Sequence, residues 1–194
     1  MIHLFIFVHH PVLQSQPMQQ IQVKDRQFEL YLPESQLEEA IIHMAQEIQR
    51  DLSDKDPLFL AVLNGSFMFA ASLMRKLSFP CRISFVKLAS YSGTQSTEQV
   101  NQLIGLNEGL AGQHVVILED IIDTGHTLSH MLDVLKEKNP ASVRIATLLF
   151  KPEAFVHDYY LDYIGLKIPT AFIVGYGLDY DGYGRNLPDI YRIV

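Results

Sequence analysis

With only one cysteine, Cys81, this chain of 194 residues has no means of forming an intrachain disulfide or a cysteine-built zinc site, and a reducing, cytoplasmic setting fits it best. Cys81 lies between Pro80 and the alternating Arg82-Ile-Ser-Phe-Val86, a context that predicts a small half-buried side chain rather than a nucleophile. Cations are also scarce. Lys and Arg total 15 against 22 Asp and Glu, and the formal charge of −7 has the wrong sign for holding nucleic acid by broad phosphate neutralisation. Any bound anion must be gripped locally.

Long apolar runs are missing as well. Met1 to Val8 is apolar but is broken by His9, His10 and Pro11, too short to span a bilayer. The first cation is Lys24, so a secretory signal is not expected either. Residues 1–17 read as a leader, either an accessory strand or a stretch ahead of a start at Met18. There is no internal repeat, linker or low-complexity segment, and 48% hydrophobic residues at this length predict one folded domain over 18–194.

What is present is an alternation of strand and helix patterns. Gln27 to Leu32 alternates as a short strand and Pro33 ends it. Ser35 and Glu38 have capping-box spacing, ahead of a helical stripe of Leu37, Ile41, Met44 and Ile48. Leu58 to Leu63 is an uninterrupted apolar run, as in a strand buried on both faces of a parallel sheet. Ser66 is a candidate cap for a helix to Leu77, and Arg82 to Leu88 reads as a strand. Ala89 to Gln99 is rich in Ser, Thr, Gly and Gln and reads as a mobile lid. Val115 to Leu118 is a second fully apolar strand, and a helix from Thr127 to Lys138 buries Leu128, Met131, Leu132 and Leu135 before Asn139-Pro140 stops it. Ser142 to Phe150 and Ala171 to Val174 supply two more strands. The pattern predicts an α/β fold with a mainly parallel sheet covered on both faces.

Ligands of such sheets bind beyond the carboxyl ends of strands, where this chain carries Glu119-Asp-Ile-Ile-Asp-Thr-Gly-His-Thr127. The acids Glu119, Asp120 and Asp123 offer acceptors for sugar hydroxyls or a metal. The loop of Thr124, Gly125, His126 and Thr127, opening a helix, offers backbone N–H groups and hydroxyls to a phosphate. Solvated acids and a plain turn are the bland alternative for an isolated Asp-Thr-Gly, but the run follows four buried aliphatics and precedes an amphipathic helix. The sequence here resembles the phosphoribosyltransferase family, whose signature is a hydrophobic strand, two acids and a Thr/Gly-rich phosphate loop.

The resemblance extends along the chain. Leu63-Asn-Gly-Ser66 is similar to the family's diphosphate loop, whose second residue often follows a cis peptide. Ser90-Tyr91 begins what resembles the catalytic lid, and Lys151 follows a strand as the base-reading lysine does. Phe172-Ile-Val-Gly-Tyr-Gly-Leu-Asp-Tyr180, continued by Arg185, is similar to the purine-binding hood of the hypoxanthine-guanine members. The resemblance implies the type I phosphoribosyltransferase fold with a hood formed by both chain ends. Glu119 and Asp120 would hold the ribose hydroxyls, and Asp123, Thr124, Gly125, His126 and Thr127 the 5′-phosphate. Asn64, Gly65 and Arg185 would hold the diphosphate, while Lys151, Phe172, Ile173 and Asp179 would bind the base. Asp123 would also share the proton lost by the purine, and Mg²⁺ would be held near Glu119, Asp120 and Asp179. Phosphoribosyl diphosphate and a purine base are the implied partners, no membrane is involved, and the implied assembly is a homo-oligomer, dimer or tetramer. Asn64 departs from the Lys or Arg of many relatives, removing one cation from the diphosphate site.

Rival readings are weaker. His126 and His130 are four apart but lack a neighbouring Glu and a third ligand for a metal site. Gly175-Tyr-Gly177 has Tyr180 where a dinucleotide motif needs glycine. A phosphoacceptor receiver domain needs its acid pair near the domain's start. A non-catalytic nucleic-acid-binding regulator conflicts with the −7 charge, and a preference for another base, such as xanthine, stays open.

Overall fold

The structure, a computed structural model, describes residues 19–91, 100–104 and 109–194. In chain order the elements are β1 (Gln20–Val23), β2 (Arg26–Leu32), α1 (Glu34–Leu52), β3 (Leu58–Val62), α2 (Phe67–Met74), β4 (Arg82–Tyr91) and β5 (Val100–Ile104). These are followed by β6 (His114–Ile122), α3 (His126–Lys136), β7 (Ser142–Phe150), β8 (Tyr163–Lys167), β9 (Ile173–Val174) and β10 (Ile190–Ile193).

β3 and the apolar stretch Val115–Leu118 of β6 sit side by side in the middle of a six-stranded sheet ordered β5-β4-β3-β6-β7-β8, but β6 runs on to Ile122, so Glu119 and Asp120 lie within the strand rather than beyond its end. β4, β3, β6, β7 and β8 run parallel, and β5 joins the edge antiparallel to β4. Alternate residues of each strand feed opposite layers. Phe59, Ala61, Val116 and Leu118 meet Leu37, Ile41, Met44 and Ile48 of α1 on one face. Leu58, Leu60, Val115 and Ile117 meet Leu128, Met131 and Leu135 of α3 on the other. A second, antiparallel sheet, β1-β2-β10-β9, draws on both chain ends and encloses Val23, Phe28, Val174 and Tyr191. The mainly parallel sheet and the hood from two chain ends are thus both observed. Cys81 is half-buried, as its context predicts, and burial raises its thiol pKa, helped by Asp56.

Several local expectations are corrected. The Ser35–Glu38 capping box does not form, because α1 already begins at Glu34 with Pro33 as its cap residue. The Glu34 N–H donates instead to Asp189 Oδ1 at 2.8 Å, a cap supplied from the far end of the chain. Glu38 pairs with Lys76 at 2.8 Å and accepts from the Tyr176 hydroxyl at 3.1 Å. Ser66 is helical, and its hydroxyl donates back to the Val62 carbonyl at 2.6 Å rather than capping α2, which ends at Met74 and not Leu77. β4 continues to Tyr91, so the start of the expected lid at Ala89–Tyr91 is strand, paired with Val100, Asn101 and Gln102. The rest of the lid, at 92–99, and the leader at 1–17 lie outside the described residues. α3 stops at Lys136, and the strand expected over Ala171–Val174 is shortened to Ile173–Val174. The Leu63–Asn64 peptide is cis, as the resemblance implies.

Candidate functional site

Parallel pairing of β3 with β6, through Ala61 opposite Leu118, delivers Gly65 and the acids Glu119 and Asp120 to the same end of the sheet. The approach is so close that a Cβ on Gly65 would fall 1.6 Å from Asp120 Oδ2, so only glycine fits without displacing that carboxylate. Glu119 is buried, and burial followed by the negative charge of Asp120 pushes its pKa well above the ordinary carboxylate range. Asp120 is raised to about 6, chiefly by burial, with backbone hydrogen bonds and Arg185 working against the rise. Among the described residues neither acid joins an ion pair, since the cations near them, Lys151 and Arg185, are paired with Asp123 and Asp179. A buried carboxylate beside a half-buried one, both with raised pKa values, favours hydroxyl donors or a cation next to them.

Beyond β6 the chain turns through Asp123 and Thr124 to Gly125, whose φ of +85° caps α3 in the left-handed conformation. A cavity of about 110 Å³ opens there, lined by Glu119, Ile121, Ile122, Asp123, Thr124, Gly125, Thr127 and Leu128. It combines the unpaired N–H groups of a helix start with two threonine hydroxyls, the composition of an anion cradle. Behind the loop, Tyr159 donates its hydroxyl to the Gly125 carbonyl at 2.8 Å. Burial, then the charge of Glu119, raises the Tyr159 pKa to about 12, which keeps that hydroxyl a donor.

A second cavity, of about 360 Å³, shares Ile121 and Asp123 with the first and is also lined by Gly65, Asp120, Lys151, Phe172, Asp179 and Arg185. The Lys151 side chain is only 8% exposed, and its Nζ donates to Asp123 Oδ2 at 2.8 Å. Phe172 keeps 47% exposure while its ring rests on Phe28 and Tyr180, with centroids 6.3 and 5.8 Å away. Arg185 donates to the Gly177 carbonyl at 2.7 Å and pairs with Asp179 at 2.5 Å, and Asp179 also accepts the Gly182 N–H at 2.7 Å. A loop suited to an anion, the adjacent acids Glu119 and Asp120, and a cavity with an apolar wall of Ala171, Phe172, Ile173 and Leu178 facing the charged Lys151, Asp179 and Arg185 therefore adjoin one another.

The expected site residues divide between the cavities. Glu119, Thr124, Gly125 and Thr127 line the first; Gly65, Asp120, Lys151, Phe172, Ile173, Asp179 and Arg185 line the second; Asp123 lines both. Asn64 is exposed and lines neither, and the His126 ring is turned to His157, with Nδ1 and Nε2 3.0 Å apart. Ser90 and Tyr91 end β4. Among the described residues no three His, Cys, Asp or Glu gather as metal ligands, so Glu119, Asp120 and Asp179 form no closed cage. Sequence reasoning missed Ile121, Ala171 and Leu178 in the wall of the second cavity. It also missed Phe155 and Tyr159 behind Gly125, for which the only signal was the aromatic-rich run Phe155-Val-His-Asp-Tyr-Tyr160 four residues after Lys151.

Residues 29–181 match the phosphoribosyl transferase domain family. The chain belongs to the phosphoribosyltransferases. It is 40% identical over 156 residues to the hypoxanthine-guanine phosphoribosyltransferase of Streptococcus pneumoniae, covering 80% of this chain and 87% of that relative. To the hypoxanthine phosphoribosyltransferase of Salmonella typhimurium it is 37% identical over 169 residues, 86% of this chain and 95% of the relative. The crystal structure of a Bacillus anthracis hypoxanthine-guanine phosphoribosyltransferase superposes with a TM-score of 0.78 at 36% identity, covering 89% of this chain and all of that one. The five parallel strands and the extra antiparallel sheet are those of the type I phosphoribosyltransferase fold. Among the described residues no helix is long and apolar enough to cross a membrane.

Proposed function

We propose that this chain joins hypoxanthine, and also guanine, to phosphoribosyl diphosphate, forming the nucleoside monophosphate and diphosphate in purine salvage. The observation that carries this reading is Asp123 lining both the loop cavity at the start of α3 and the neighbouring cavity in which Phe172 and Ile173 face the buried Lys151 ammonium. In the reaction the bond from the anomeric carbon to the diphosphate oxygen breaks and the bond to purine N9 forms. The electron pair of the broken bond leaves with diphosphate, and the purine gives up one proton.

The loop of Asp123, Thr124, Gly125, His126 and Thr127 receives the 5′-phosphate, with His126 contributing its backbone N–H. Glu119 and Asp120 accept the ribose hydroxyls, whose donation relieves two desolvated carboxylates. Asp123 takes up or shares the proton that leaves the purine, a general-base contribution. Lys151 donates to the purine 6-oxo group and, having no acceptor, repels the amino group of adenine. Phe172 and Ile173 bound the ring faces, and Asp179 closes the base side. Asn64, Gly65 and Arg185 hold the leaving diphosphate, while Ser90 and Tyr91 open the lid that excludes water from the ribosyl centre.

Mg²⁺ suits the donors present: Glu119, Asp120 and Asp179 are hard oxygen ligands, and the lack of a closed cage fits an ion that keeps water and substrate oxygens. When bound it would neutralise charge on the diphosphate. In the same reading the chain works in the cytoplasm as a dimer or tetramer, an assembly supported by the exposed Ile83 and Phe85 on one face of β4. The test is a panel of hypoxanthine, guanine, xanthine and adenine with phosphoribosyl diphosphate and Mg²⁺. Nucleotide is expected from the first two, and adenine is expected to fall behind by orders of magnitude in kcat/KM. Nucleotide from none of the four would overturn the reading.

A further inference from the structure

The segment after β7 runs back along the phosphate loop and is bonded to it at successive points. The Lys151 N–H donates to the Ile122 carbonyl at 2.9 Å, the Val156 N–H to the Thr124 carbonyl at 3.3 Å, and the Tyr159 hydroxyl to the Gly125 carbonyl at 2.8 Å. Side chains lace the same strap to the loop. Phe155 and Tyr159 meet edge to face at 5.1 Å, His157 stacks on Tyr159 at 5.4 Å, and His157 reaches the His126 ring. Phe155 and Tyr159 close so tightly over Gly125 that a Cβ there would lie 2.6 and 2.5 Å from them.

The consequence follows from peptide geometry. The Thr124–Gly125 and Gly125–His126 peptides are trans, because among the described residues only Leu63–Asn64 is cis. In a trans peptide the N–H points opposite to the C=O. Fixing the Thr124 and Gly125 carbonyls toward the strap and helix therefore turns the Gly125 and His126 N–H groups the other way, free for an anion. The Gly125 carbonyl also accepts the Ser129 N–H at 2.9 Å, so the phenol is its second donor and adds orientation rather than satisfying an orphan group.

We propose that Tyr159 is a positioning residue for the 5′-phosphate: its hydroxyl holds the Gly125 peptide so that the loop's N–H groups are set for the phosphate before substrate arrives. This rests on the phosphate role assigned above to the loop of residues 123–127. Tyr159 touches no reacting atom. Its effect belongs in the affinity for phosphate-bearing ligands, not in the recognition of the base or in the chemical step.

The test compares Tyr159→Phe, which keeps the ring and its packing, with wild type, using inosine monophosphate and inosine as calorimetric ligands. The variant should bind the monophosphate about three- to tenfold more weakly, the scale of one neutral hydrogen bond, and bind inosine as wild type does. Its KM for phosphoribosyl diphosphate should rise by the same factor, with kcat and the KM for hypoxanthine nearly unchanged and the melting temperature close to wild type. Tyr160→Phe, at a neighbouring side chain that is 79% exposed, should change none of these. If wild type prefers the monophosphate and Tyr159→Phe keeps the whole preference, or weakens both ligands equally, the positioning role is refuted while the loop's role stands. If wild type itself does not prefer the monophosphate, the phosphate loop reading fails and the role of Tyr159 with it.

Discussion

At the amino ends of β7 and β8 a cavity of about 510 Å³ is lined by Glu47, Arg50, Asp51, Arg144, Asp162 and Tyr163, and it is larger than either cavity at the carboxyl end of β6. Both of its arginines, Arg50 and Arg144, pair with Asp51. Arg144 pairs with Asp51 at 3.0 Å and donates to the Tyr163 hydroxyl at 2.6 Å, Tyr163 donates to Asp51 at 3.1 Å, and Asp162 accepts the Ile145 N–H at 2.9 Å. Burial opposes the charged form of Asp51, yet hydrogen bonds from Arg50, Tyr163 and Arg144 hold its pKa below the ordinary value. At the other end Glu119 and Asp120 are more deeply buried, carry raised pKa values and have no ion-pair partner among the described residues. At one end of the sheet the cations pair with Asp51, although burial raises the pKa of Asp162 there too; at the other, Glu119 and Asp120 stand without a cation partner among the described residues. Volume alone points to the amino end, whereas the perturbed carboxylates point to the carboxyl end.

The largest effect that sharpens this contrast is on chemistry at the carboxyl end. Asp123→Asn keeps the shape of the loop and removes the proton acceptor, so kcat should fall about 10²-fold or more. The affinity for phosphoribosyl diphosphate, read by calorimetry, should stay within a few fold. Near-normal turnover would remove Asp123 from the proton transfer.

Next comes specificity. Lys151→Gln replaces a pure donor with an amide that can donate or accept. The hypoxanthine-to-adenine ratio of kcat/KM should narrow by about tenfold or more, chiefly through poorer use of hypoxanthine. An unchanged ratio would mean that Lys151 does not read the base.

The smallest effect is on stability, and its sign differs between the two ends. The folded-state pKa values of Glu119 and Asp120 are raised, so the stability they contribute is full below the unfolded value near 4 and is lost as pH rises through about 6 and beyond. Ligand-free Glu119→Gln should therefore melt higher than wild type at pH 8, by roughly 2–4 °C per kcal/mol of relieved desolvation, with the gain vanishing near pH 4. Asp51, with its lowered pKa, contributes stability above its unfolded value that is lost as pH falls through the folded one. Asp51→Asn should melt lower at pH 8, and that loss should shrink in acid. Equal signs for the two variants at pH 8 would erase the contrast.

How far the sequence alone reached depended on whether the deciding interaction was local. β3 and β6 were legible because fully apolar runs can only sit inside a covered sheet, and the acids after Leu118 because the sheet's carboxyl end is where ligands bind. The start of α1 was misread because its cap acceptor, Asp189, is 155 residues away. β1, β5, β8 and β10 went unread: they are edge strands or short pieces of the hood, with four or five residues each, whose pairing rather than composition makes them strands. That Lys151 and Phe172 line one cavity was legible only through family resemblance, since nothing near either residue in the sequence marks a cavity wall. Tyr159 was missed because its partner is a backbone carbonyl 34 residues back, a contact that leaves no trace in side-chain pattern.

The most direct measurement is the initial rate of nucleotide formation from saturating hypoxanthine and phosphoribosyl diphosphate held well below its KM, with Mg²⁺, taken side by side for wild type, Glu119→Gln/Asp120→Asn and Asp51→Asn at a temperature where all three are folded. Wild type and Asp51→Asn should turn over at comparable rates while the double variant loses about 10²-fold or more in kcat/KM, as expected when two buried groups that hydrogen-bond substrate are neutralised. A double variant as active as wild type, or an Asp51→Asn variant as impaired as the double variant, would contradict the assignment of the active site to the carboxyl end of the sheet.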